Sequence, residues 1–145
     1  VKTDVNHCAI RGAEPADSKV LTRLFHQLGY PSDASAVMAG LTQPDPAREV
    51  LVASLGADVV GVLVWHRMMP LHVPAAWGLI SALVVDEEAR GSGVGAQLLA
   101  AAEARARAAG CSQLELSSSL KREGAHRFYL AQGYLERPKR FVKVF

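Results

Sequence analysis

Arg90-Gly91-Ser92-Gly93-Val94-Gly95 is the stretch of this sequence best suited to hold an anion. It follows the apolar, β-branched run Ile80 to Val85 and precedes Leu98, Leu99 and Ala102, which share one side of a helix. The run is suited to a strand buried on both faces. Free N–H groups at a helix start attract phosphate oxygens. The alternating glycines let the backbone approach a ligand without obstruction by Cβ, and Arg90 adds a charge-assisted donor. Arg90 to Ala96 can therefore supply the backbone donors that a pyrophosphate needs.

Proton chemistry has one good donor candidate and several weak acceptors. Tyr129 carries a phenol that, at a reference pKa of about 10, can give up a proton at neutral pH without tuning. The competing reading is a packed aromatic whose hydroxyl is satisfied. Glu115, His66, His72, Asp86 and Glu87 all lie near the strands around the glycine turn, yet capping or solvent-facing roles explain each of them, and none is singled out as a base. Arg122 and Arg127 could reach a phosphate, and Arg122 is better placed because it precedes a helix start. Cys8 and Cys111 fit neither a CxxC metal pair nor a disulfide framework, so buried thiols and no metal are expected.

The elements that must position these residues can be read from pattern. Val5 to Arg11 can form a strand, and Asp17 or Ser18 can cap a helix whose Val20, Leu21, Leu24, Phe25 and Leu28 recur at helical spacing up to Gly29. A short second helix, capped by Ser32 or Asp33, carries Val37, Met38 and Leu41. Glu49 to Leu55 and Val59 to Met68 read as a hairpin turning at Gly56-Ala57-Asp58. Trp77 to Val85, a helix over Gly95 to Ala109 and a strand over Gln113 to Ser118 make a right-handed crossover between parallel neighbours. Glu123 to Gln132 reads as a helix closed by Gly133, and Arg140 to Phe145 as a final strand.

A length of 145 residues suits one domain spanning the whole chain. A charged fraction of 21% with net charge +2 leaves no electrostatic footprint for nucleic acid or a membrane surface. No apolar run approaches the roughly 18 to 20 residues that span a bilayer, and the start VKTDVNHCAIRG lacks a signal-peptide pattern, which together point to a cytoplasmic setting.

Two blocks carry a resemblance to the GCN5-related N-acetyltransferases. Arg90, Gly93 and Gly95 match that family's glycine motif, Gln or Arg followed by x-x-Gly-x-Gly or Ala. Ala125, Phe128, Tyr129, Gly133 and Tyr134 match its later Ala-x-x-Phe-Tyr pattern with a following Gly-Tyr. Many members carry Asn three residues before the motif alanine, where this chain has Arg122. The resemblance implies a mixed α/β fold of three layers, with a central, mostly antiparallel sheet splayed where the strands holding Val85 and Glu115 run parallel. It also implies acetyl-coenzyme A as co-substrate and a primary amine, on a small molecule or peptide, as acceptor, with a homodimer left open.

On that reading Arg90, Gly91, Ser92, Gly93, Val94, Gly95 and Ala96 hold the pyrophosphate, Leu83, Val84 and Val85 pair with the pantetheine arm, and Arg122 and Phe128 complete the cofactor set. A backbone N–H near Val84 or Val85 could stabilise the charge that develops on the thioester oxygen. Tyr129 would protonate the departing thiolate, whose thiol has an ordinary pKa of about 8.5. The acceptor pocket is expected between the first two helices and the Met68 to Trp77 loop, where the scarcity of acidic residues disfavours aminoglycoside-like amines.

Two rival readings follow from the same residues. Gly91, Gly93 and Ala96 satisfy the G-x-G-x-x-A of a dinucleotide-binding oxidoreductase, but Asp86 to Arg90 separate the glycines from the strand and too little chain follows. A coenzyme A-binding or regulatory module without catalysis is the second alternative, opposed by the presence of Tyr129.

Overall fold

The computed structural model describes residues 8–118 and 123–145. Its sheet has five strands in sequential order, β1 (Ala9–Gly12), β2 (Arg48–Leu55), β3 (Asp58–Met68), β4 (Ala76–Val85) and β5 (Cys111–Leu116). The first four are antiparallel neighbours, and β5 runs parallel to β4. The parallel step is made by the crossover helix α3 (Val94–Ala108), as the sequence pattern requires.

Alternation along the strands sends two sets of side chains in opposite directions. Leu51, Ala53, Leu63, Trp65 and Ile80 pack on one face with Leu98, Leu99 and Ala102 of α3. Val52, Val62 and Val84 pack on the other with Leu21 and Leu24 of α1 (Ser18–Leu28), and Val37 and Leu41 of α2 (Ala34–Thr42) join them. Helices on both faces of a mostly antiparallel sheet give the expected three-layer fold. Phe128 and Tyr129 of α4 (Glu123–Ala131) pack against the α3 side.

The expectations about the two ends fare differently. The first strand covers Ala9–Gly12, and residues 1–7, which include the start of the expected strand at Val5, lie outside the described residues. Arg140 to Phe145 forms no strand. Phe141, Val142, Val144 and Phe145 are all exposed, and their spacing would put apolar side chains on both faces of a strand. Such a pattern is satisfied only by cover on both sides, and among the described residues no strand is registered with it.

Caps and close contacts fix the helices. Gly29 ends α1 in the left-handed region at φ 105°, and Asp33 caps α2 by accepting from Ala36 N. Asp17 stands at the expected N-cap position of α1, but its side chain makes no bond to that helix. Its carboxylate accepts from both terminal nitrogens of Arg11, at 2.8 and 2.9 Å, and from Glu14 N, tying β1 to the turn before α1. Gly61 lets α3 lie against β3, because a Cβ there would stand 2.9 Å from Leu98 Cδ1 and 3.1 Å from Val94 Cγ1. No helix among the described residues is long and apolar enough to cross a membrane.

Two stability predictions follow from these contacts. The Arg11 guanidinium holds the Asp17 carboxyl below its ordinary value, with burial opposing and the Glu14 N–H assisting. A folded-state pKa below the unfolded one stabilises above the unfolded value of about 3.9 and loses that contribution as pH falls through the folded value. Asp17→Asn should therefore cost about 1–3 kcal/mol at neutral pH, and its deficit should shrink below about pH 4, read by urea unfolding at both pH values. Gly61→Val should lower stability by about 1–3 kcal/mol through overpacking against α3, read as a lower melting temperature.

Candidate active site

The site begins where the parallel ladder stops. Strands β4 and β5 are registered from Ala76–Cys111 to Ile80–Leu116 and no further. Beyond that point β4 still pairs with β3 through Val85, so its outer edge is open from Ser81 onward. In an antiparallel strand alternate N–H and C=O groups point away from the bonded neighbour. Those between Ser81 and Val85 therefore point into the opening.

That opening is a cleft of about 410 Å³. One wall is Ile80, Ser81, Ala82 and Leu83 of β4, and the other is Leu116, Ser117 and Ser118 at the end of β5. Ala125 and Tyr129 of α4 close it, and Leu28, Gly29 and Tyr30 at the end of α1 form its remaining side. The Met68 to Trp77 loop, expected in the acceptor pocket, does not line the cleft. It joins the far end of β3 to the start of β4, where His72 and Trp77 meet edge to face at 5.5 Å.

Ser81 owes its orientation to a bulge. Val64 pairs with Ala82 and Trp65 with Ile80, so Ser81 is the extra residue between them. Its Oγ is hydrogen bonded to His66 Nε2 at 2.8 Å. A lone polar residue inside the apolar run Ile80 to Val85 was the only sequence signal for this feature.

The glycine turn lies just past the open edge. A short 3₁₀ turn over Glu87–Ala89 joins β4 to it, and Asp86 caps that turn by accepting from Glu88 N. Gly91 and Gly93 take φ values of 84° and 86°, a region that disfavours a Cβ. Gly93 serves as the N-cap of α3, and the first helical bond runs from Gln97 N to Gly93 O. The N–H groups of Val94, Gly95 and Ala96 precede that bond in the helix. The Ser92 hydroxyl donates to Ala89 O and so braces the turn. Arg90 donates through Nε to Val85 O at 3.2 Å, which anchors its stem beside the end of β4.

Aromatic residues connect the turn to α4. A Cβ on Gly95 would sit 3.6 Å from both Phe128 Cζ and Val85 Cγ2, so Phe128 packs over the turn and beside β4. Phe128 meets Tyr129 at 5.3 Å between ring centroids, and Tyr129 meets Tyr134 at 6.1 Å. Tyr134 is itself fixed by donating its hydroxyl to Glu103 of α3 at 2.8 Å. Burial and that carboxylate push the Tyr134 phenol well above its ordinary value, so it stays protonated.

The structure thus brings together Leu83, Val84 and Val85 at the open edge, Arg90 to Ala96 at the start of α3, and Phe128 and Tyr129 on α4. Arg122 lies outside the described residues. Among the residues considered as bases, Asp86 is bound to Arg23 at 2.8 Å, and that guanidinium holds its carboxyl below the usual range. Glu115 is exposed on β5, accepts from Gln113 Nε2 at 3.2 Å, and does not line the cleft. No cluster of metal-ligating side chains occurs among the described residues.

Known proteins resemble this chain in sequence and in fold. The acetyltransferase (GNAT) family model matches residues 19–134. The chain is 35% identical over 141 residues to an aminoalkylphosphonate N-acetyltransferase of Salmonella typhimurium, covering 97% of this chain and 90% of that protein. It is 32% identical over 133 residues to an aminoglycoside N(6')-acetyltransferase type 1 of Stenotrophomonas maltophilia, covering 88% and 86%. The fold superposes on a crystal structure described as a transcriptional regulator from Bacillus halodurans with a TM-score of 0.85 at 24% identity, over 96% of this chain and 100% of that one. The chain belongs to the GNAT family of acetyltransferases, enzymes that use acetyl-coenzyme A as co-substrate.

Proposed function

We propose that this acetyltransferase moves the acetyl group of acetyl-coenzyme A directly to the primary amine of a small acceptor with a single amine in a ternary complex, with Tyr129 as the acid. The observation that carries the reading is the end of the β4–β5 ladder at Ile80–Leu116, which leaves the edge of β4 facing the same cleft as Tyr129. The free groups of β4 near Leu83, Val84 and Val85 would pair with the amides of the pantetheine arm. The diphosphate would meet the N–H groups from Gly91 to Ala96, together with Arg90.

In the transfer the neutral amine attacks the thioester carbon, and charge gathers on the carbonyl oxygen. A backbone N–H of β4 near Val84 or Val85, pointing into the opening, would stabilise that charge. Collapse breaks the C–S bond, and the sulfur takes its proton from the Tyr129 hydroxyl. The phenol then recovers a proton from solvent. Phe128 and Tyr134 keep the Tyr129 ring in place from either side.

The lining of the cleft bears on the acceptor. Serine hydroxyls, two phenols and aliphatic groups form it, and no carboxylate lines it among the described residues. A polycationic amine needs several acidic partners to offset its desolvation. A compact molecule with a single amine, such as the aminoalkylphosphonates named for the Salmonella relative, asks for no such set of acidic partners.

Acetyl-coenzyme A at 100 times its dissociation constant should stabilise the protein by about 2.7 kcal/mol, seen as a higher melting temperature. With that co-substrate, an amine panel read by product mass should favour small monoamines, including aminoalkylphosphonates, over aminoglycosides. Coenzyme binding without release of thiol on any amine would instead favour a non-catalytic module. Tyr129→Phe should lower kcat by about 10²-fold or more with little change in affinity for acetyl-coenzyme A, and full turnover in that variant would reject the acid role.

A further inference from the structure

The pair formed by His66 and Ser81 has no part in the transfer as described so far. A bulge re-aims a side chain, and bulges recur beside active sites. Here the bulge sets Ser81 in the cleft that Tyr129 also lines, with its Oγ 2.8 Å from His66 Nε2. His66 is half-buried in β3, registered between Arg48 of β2 and Leu79 of β4. Its ring therefore reaches the cleft through the serine.

We infer that Ser81 and His66 are the exit for the acceptor's proton, Ser81 receiving it from the nitrogen and His66 accepting the serine's own proton. The inference rests on the acetyl transfer proposed above. When the amine has bonded to the thioester carbon, its nitrogen carries one proton too many. That proton goes to Ser81 Oγ as the serine hydroxyl proton passes to Nε2 of a His66 ring protonated on Nδ1. The C–S electron pair leaves with sulfur, which is protonated by Tyr129. The imidazolium returns its proton to solvent, solvent reprotonates the phenolate, and the products are the amide and the free thiol. Ser81 is the catalytic group and His66 a positioning residue that acts through it.

The groups around His66 leave this path open. Arg48, across from it on β2, donates to Gly40 O at 2.6 Å, which directs its guanidinium to α2. His26 of α1 is engaged by Ser32 O at 3.0 Å. Among the described residues, Tyr30 and Tyr129 are the remaining titratable groups that line the cleft. Arg67, the next residue of β3, points to the opposite face and donates to Ala109 O at 2.9 Å.

The test compares the full chain with Ser81→Ala, His66→Gln and the double variant, using the best amine of the panel between about pH 6 and pH 10. Glutamine can keep a hydrogen bond to Ser81 but cannot take a proton, so His66→Gln separates relay from scaffold. Each single variant should lose about 10²- to 10³-fold in kcat near neutral pH and recover part of it at high pH, with KM for acetyl-coenzyme A unchanged. The double variant should fall no further than the worse single. Wild-type rates and pH profile in His66→Gln, or losses that multiply in the double variant, would overturn the relay while wild-type transfer stands. A wild-type chain that binds acetyl-coenzyme A and acetylates no amine would overturn both the relay and the transfer reading.

Discussion

Strand β4 belongs to two ladders of unequal length, and the whole site depends on that inequality. Its antiparallel ladder with β3 runs to Val85, whereas its parallel ladder with β5 ends at Ile80. The two strands are close only where the sequence allows it. Gly78 admits Leu114 so tightly that a Cβ would lie 2.7 Å from Leu114 Cδ1. Past this contact the natural twist between neighbours is unopposed by hydrogen bonds, and the bulge at Ser81 adds to it. A backbone edge that would otherwise invite another strand is instead walled by α4 and the end of α1.

Much of this was legible because local chemistry and global fold agree. The apolar run, the glycine turn and the crossover helix announce a strand, a turn and a helix in that order, and two-sided packing from Val84 and Ile80 confirms a central strand. The Gly95–Phe128 contact joins two motifs that the sequence holds apart, and pattern alone could not show that they touch. The splay was expected from resemblance, but its starting point, Ile80–Leu116, follows from register, which sequence does not display.

The misjudged parts have physical reasons as well. The Met68 to Trp77 cluster looked like a pocket because exposed methionines, a leucine and a tryptophan fall close in sequence, yet β4 carries the chain away from that loop to reach the cleft. Asp17 holds the N-cap position of α1 as expected, but its carboxylate turns to Arg11 because a guanidinium on β1 offers two parallel donors. The final segment alternates acceptably, but its apolar side chains divide between both faces and find no registered strand among the described residues. Periodicity reports what a segment could bury, while the sheet decides whether anything is there to bury it.

Charge placement gives the cleft its chemical character. The ion pairs Arg11–Asp17, Arg23–Asp86 and Arg105–Glu49 all tie one element to another away from the cleft lining. Glu103 likewise spends its carboxylate on Tyr134, which supports the ring beside Tyr129. The described residues that line the cleft are serines, phenols and residues with aliphatic groups. A lining of this kind favours groups that can move a proton without first carrying a net charge. A phenol on α4 and a hydroxyl on β4, hydrogen bonded to an imidazole on β3, are groups of this kind, and both hydroxyl-bearing residues line the one opening.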